Sequence, residues 1–197
     1  PGTAELHAAT LQTNEWLDTD KHGDVVTYER FGAIIPSKLL ADFPLERYKR
    51  WNLYRWEGRL MLLDALSRRS GKVVQFTMII DIRGAALSHR RLIPYFKEFL
   101  GGEAVHSVPA TRSISHIVGV GRVTAGFVSF GMPFLSERIK STTSILHGDP
   151  FSVSIDFANR FEKSTMPKDI GGELVTGTDG HCCLGIEIPL LHLLFTR

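Results

Sequence analysis

Between Leu45 and Ser70, Leu53, Trp56, Leu60, Leu63 and Leu66 recur every three or four positions, which predicts one long helix with an apolar face. Pro44 stands where a helix start tolerates proline, and Gly71, after Arg68 and Arg69, supplies a stop. Val25 to Arg30 is β-branched and aromatic and predicts a strand. Val73 to Ile82 carries Met78, Ile79 and Ile80 in succession, the pattern of a strand covered on both faces. Ile114 to Val120 and Thr142 to Leu146 predict two more buried strands. Helical patterns cover Arg91 to Leu100, stopped by Gly101-Gly102, and Val123 to Leu135. Residues 4–17 read as a short helix, and Thr19 to Gly23 as a turn. Strands alternating with helices imply an α/β fold with a largely parallel sheet. After Thr176 no pattern is assigned, although Leu190 to Phe195 suits a strand or a docking segment.

Composition narrows this picture. A chain of 197 residues suits one domain with a sizeable core. A net charge of +2 is too small a bias to argue for nucleic acid. Arg47, Lys49, Arg50, Arg55, Arg59, Arg68 and Arg69 nevertheless share one stretch, read as the solvated face of the long helix or a surface for anionic lipid. The adjacent Cys182 and Cys183 imply no disulfide framework, and a reducing compartment fits. No stretch resembles a secretory signal or approaches the roughly 20 apolar residues that span a bilayer, so membrane contact is expected to be peripheral and the protein cytoplasmic.

Candidate chemistry is sparse. Gly119, Gly121 and Gly126 follow a strand and open a helix, as a dinucleotide fingerprint does, but the third glycine comes late and no carboxylate follows near Leu146 and His147. The competing reading is a tight strand-to-helix turn. His181, Cys182 and Cys183 lack zinc spacing. Asp18, Asp20 and Asp24 miss the calcium-loop pattern, and no G-x-S-x-G elbow occurs. Asp81, at a strand end, reads as the cap of a turn or as a catalytic carboxylate. The helix from Val123 to Leu135 is apolar on nearly every side, which suits deep burial or contact with lipid.

Four segments in order, T-D-K-H-G-D-V-V-T-Y-E-R-F-G-A-I from Thr19, Q-F-T-M-I-I-D-I-R-G from Gln75, P-F-L-S-E-R-I-K from Pro133 and M-P-K-D-I-G-G from Met166, resemble the CRAL-TRIO lipid-binding domain. The resemblance runs from about Asp18 to Leu174. It implies a mixed, largely parallel sheet flooring a hydrophobic pocket, covered by helices that include a mobile gate, here Val123 to Leu135. It implies domain limits of 18–175, a helical remnant at 1–17 and an unassigned tail at 176–197. Family members usually carry a helical bundle before this domain, so the chain reads as a fragment or as a module of a larger protein.

The resemblance makes Trp56, Leu60, Phe76, Met78, Ile80, Ile117, Phe127, Phe130, Phe134 and Ile139 the candidate lipid-binding residues. Arg138 and Lys140, just after P-F-L, are the candidate membrane or phosphoinositide contacts. The phospholipid-transfer branch holds a choline head with hydroxyl residues where Phe76 and Met78 stand, and inositol phosphate with groups replaced here by Ile139, Thr142 and Ala110. A buried phosphate without partners costs several kcal/mol, on the order of 2–7 even for a neutral polar group. The expected ligand is therefore one apolar lipid, exchanged at a membrane, with no cofactor, metal or catalytic residue. A lipid-sensing or scaffolding module and a nucleotide-dependent enzyme are the alternatives.

Overall fold

In a computed structural model of the chain, residues 15–101, 112–135 and 137–175 are described. Their elements run β1 (Glu15–Thr19), β2 (Val25–Arg30), α1 (Pro36–Asp42), α2 (Leu45–Ser70), β3 (Phe76–Asp81), α3 (Ile93–Gly101), β4 (Arg112–Val118), α4 (Arg122–Gly131), α5 (Glu137–Ser141), β5 (Thr143–Ile145), α6 (Pro150–Val153) and α7 (Ile155–Arg160). Short 3-10 turns complete the set. The five strands form one sheet in the order β1-β2-β3-β4-β5, with β1 antiparallel and the others parallel. The fold is thus the largely parallel α/β arrangement that the alternating pattern predicts, with the mixed sheet that the resemblance implies.

Right-handed crossovers between strands that are neighbours in sequence carry the intervening helices to one face of a sheet. The packing follows that rule. Met78, Ile80, Ile82 and Ile117 meet Val128 and Leu135 on one face, and Phe76 meets Leu62 and Leu63 of α2. On the opposite face Tyr28, Ile79 and Val118 pack against Phe157 of α7 and Phe161 just after it, with Met166 and Ile170 beyond. Side chains alternate across a strand, so β3 gives its even positions to the crossover helices and its odd positions to α7.

The register sets out the crossover face in rows. Thr27, Met78, Ser115 and Thr143 pair in succession across four strands, and so do Glu29, Ile80, Ile117 and Ile145. The hairpin joining β1 to β2 is held by Asp20. Its Oδ1 accepts the backbone N–H groups of His22 and Asp24 at 2.9 Å, and Oδ2 accepts from Arg160 Nη1 at 2.7 Å.

Three sequence expectations need correction. Residues 15–17 lie in β1 and not in a helix, while residues 4–14 fall outside the described residues. The region read as one helix from Arg91 begins as a 3-10 segment at Leu87–Leu92, and α3 starts only at Ile93. In α2, Leu53 is 45% exposed, and the buried face runs instead through Tyr48, Asn52, Trp56, Arg59 and Leu63. Arg59 therefore belongs to the core rather than to the solvated basic face. The helix accepts both polar residues because Asn52 Nδ2 donates to the Glu98 carbonyl at 3.2 Å and Arg59 Nη2 to Glu29 Oε1 at 3.1 Å.

Candidate functional site

A cavity lies between the sheet and α4, lined by Ile80, Ile82, Phe96, Ser115, Ile117, Val128, Gly131, Met132, Leu135, Ile139 and Thr143. β3 and β4 supply the floor through alternate side chains. The roof is α4 and the 3-10 turn Met132–Phe134 that follows it. Pro133 offers no N–H to continue an α-helix, so the predicted single helix from Val123 to Leu135 ends as an α-helix at Gly131 and tightens. Described outward positions of the roof are small or polar, namely Arg122, Gly126, Ser129 and Pro133, while Val128 and Leu135 point into the apolar layer.

Every described lining residue is apolar or a small hydroxyl, so these walls favour hydrocarbon. The cavity itself measures about 30 Å³, roughly the share of one water molecule in the liquid. A small-molecule pocket needs about 300 Å³ or more. Accommodating a lipid therefore requires Val128, Met132 and Leu135 to move off the floor.

The candidate residues divide clearly. Ile80, Ile117 and Ile139 come together in the lining. Met78 is fully buried in the same apolar layer but does not reach the cavity surface, and Phe76 packs beneath α2 with the Arg59 guanidinium 5.4 Å from its ring centre. Trp56 is buried and Leu60 half-buried on α2, away from the lining. The side chains of Phe127, Phe130 and Phe134 lie outside the described ones. Arg138 is exposed beside the roof, whereas Lys140 is half-buried and paired with Glu137 Oε1 at 2.7 Å. Lining residues absent from the sequence candidates are Ile82, Phe96, Ser115 and Thr143, together with Val128, Gly131, Met132 and Leu135 of the expected gate segment. Counting alternate positions from Ile80 and Ile117 would have found Ile82 and Ser115.

A second hollow, of about 240 Å³, sits at the carboxyl ends of β3, β4 and β5. Its rim carries Arg83, Asp149 and Asp169, which suits water better than lipid, so the smaller apolar cavity is the better candidate despite its size. Asp81 anchors this end. It accepts the Tyr28 hydroxyl at 2.6 Å and the Arg83 backbone N–H at 2.9 Å, and it also binds the Arg83 guanidinium. Burial and the adjacent carboxylate push the Tyr28 phenol up, and the hydrogen bond to Asp81 pushes Arg83 up. Asp81 is thus the turn cap of the two readings considered.

The glycine-rich turn is explained by the same group. Gly119 has φ +74°, and a Cβ there would collide with the Arg83 side chain and lie 2.8 Å from Asp81 Oδ1. The N–H of Gly121 is taken by Thr124 Oγ1 at 2.7 Å. A carboxylate against the turn and an occupied backbone donor oppose a pyrophosphate. Among the described residues no three His, Cys, Asp or Glu side chains converge as metal ligands, and Cys182 and Cys183 lie outside those residues.

The described residues thus form an α/β fold with a small apolar cavity between its largely parallel sheet and a helical roof. A family model described as the CRAL/TRIO domain matches residues 11–172, and the chain belongs to that family of lipid-binding proteins. The crystal structure of Sfh5 is similar over 73% of this chain, with a TM-score of 0.50 and 17% sequence identity. That match takes in 50% of the Sfh5 chain, so this chain spans about half the length of the solved structure it resembles. No helix among the described residues is long and apolar enough to cross a membrane.

Proposed function

We propose that the protein binds one hydrophobic lipid between the sheet and α4 and transfers it at a membrane surface, with α4 and the Met132–Phe134 turn acting as the gate. The observation that carries this reading is a lining that, among the described residues, is uncharged, around a space too small for a lipid. Such a site is reached by movement of its roof, and the roof is held by apolar contacts that a bilayer can replace. The process is exchange, without catalysis. Exposed Arg138 supplies charge for an anionic surface beside the roof, while Lys140 is partly neutralised by Glu137.

Vesicle-to-vesicle transfer tests the proposal. Protein mixed with donor vesicles holding a self-quenched fluorescent lipid should speed its appearance in acceptor vesicles in proportion to protein concentration. Lipid retention without transfer would favour the sensing or scaffolding role. Neither retention nor transfer would end the proposal.

A further inference from the structure

Ser115 is 1% exposed and lines the cavity, yet its Oγ has no hydrogen-bond partner among the described residues. Thr27 Oγ1, at the far end of the same cross-sheet row, and Trp56 Nε1 share that condition. Thr143, the other hydroxyl lining the cavity, differs, since its Oγ1 donates to the Ile139 carbonyl at 2.6 Å. A buried hydroxyl without a partner is destabilising, and alanine would fill the strand position without that cost. Ser115 Oγ is thus a polar atom aimed into an apolar space with no partner among the described residues.

We propose that the cavity selects a lipid whose head is a single uncharged oxygen, a hydroxyl or a carbonyl, and that Ser115 Oγ receives it. The inference rests on the lipid-binding reading above. A serine hydroxyl donates to a carbonyl and both donates to and accepts from a hydroxyl. A carboxylate or phosphate would lose its hydration for one neutral partner, in walls whose described residues hold no counter-charge. Hydrocarbon lacking oxygen would leave Ser115 orphaned. The body of the ligand lies against Ile80, Ile117, Val128 and Leu135, which line the rest of the space.

The test uses four probes delivered from neutral vesicles and measured as retained probe per protein: hexadecanol, 2-hexadecanone, hexadecane and hexadecanoate. One or both oxygenated neutral probes should be held about five-fold more tightly than hexadecane, the weight of one neutral hydrogen bond. Which of the two leads tells a hydroxyl head from a carbonyl head. Ser115→Ala should bring that preference down to the hexadecane level and leave hexadecane itself unchanged. Ser115→Thr should restore it. Thr27→Val, outside the lining, should keep the preference. Without probe, Ser115→Ala should melt higher than the natural protein, because it removes an orphaned hydroxyl. Equal retention of hexadecanol, 2-hexadecanone and hexadecane, tightest retention of hexadecanoate, or a persistent preference in Ser115→Ala overturns the selection by Ser115 and leaves lipid binding standing. Retention of no probe overturns both.

Discussion

At the scale of single residues, two buried groups on opposite faces of the sheet set testable limits. Arg59 and Glu29 are 2% and 5% exposed and face each other at 3.1 Å. Removing one partner leaves a buried charge, so Arg59→Met should lower stability by about 3–5 kcal/mol, and the double change with Glu29→Met should recover most of it. Urea titration of the three proteins measures both effects. His116 is buried on the other face, edge-on to the rings of Phe157 and Phe161, with Nδ1 2.6 Å from Ser144 Oγ. Burial and the nearby Arg160 cation push it from 6.5 down to about 4. The unfolded chain therefore takes up this proton first as the pH falls below 6.5, and the folded form loses stability between pH 6.5 and 4. The loss amounts to about 3 kcal/mol at the acid end. His116→Leu should flatten the urea midpoint between pH 6.5 and 5, and an unchanged slope would remove His116 as its source. Arg59 and Ser115 were hard to read from sequence for related reasons. An arginine among basic neighbours reads as surface, and a serine between Ile114 and His116 carries no signal until the strand register places it over a cavity.

The long helix and the strands β2, β3 and β4 follow from periodicity and stop signals, and α2 ends where Gly71 takes φ +69°. Strand β1 did not show itself, because five residues at a sheet edge need no apolar alternation. The inward face of α2 was placed one residue late at Leu53 and Leu60, since Asn52 and Arg59 fill inward positions that only their partners justify. The roof element yields its own prediction. Gly126 of α4 is exposed, and a Cβ there meets nothing within 4 Å. Gly126→Ala should raise stability by about 0.5–1 kcal/mol through helix propensity alone, read as a shift in the urea midpoint. If opening of the roof involves loosening of α4, the same change slows lipid exchange; if α4 moves as a rigid body, exchange is unaltered while the midpoint still shifts.

For the whole molecule, the sheet is a partition. One face is closed by α7 and the turns after it, and the other carries the crossover helices with the apolar cavity between Ile80, Ile117 and α4. The pattern along the chain conveyed the buried strands and the apolar roof, and the resemblance pointed to the sheet face where the small apolar cavity lies. Neither conveyed how tightly the roof closes, because that depends on how Val128, Met132 and Leu135 pack across from residues distant in sequence. At this scale Arg138→Glu should weaken binding to anionic vesicles in co-sedimentation, with a deficit that shrinks as salt screens the charge. The central claim is one lipid held under the roof. Native mass spectrometry after incubation with mixed-lipid vesicles tests it most directly. The protein should gain the mass of one lipid, recoverable by organic extraction. Met132→Glu, which sets a charge in the lining of a folded protein, should abolish that gain. A protein that acquires no lipid, or a Met132→Glu variant that loads as well as the natural chain, would contradict the account.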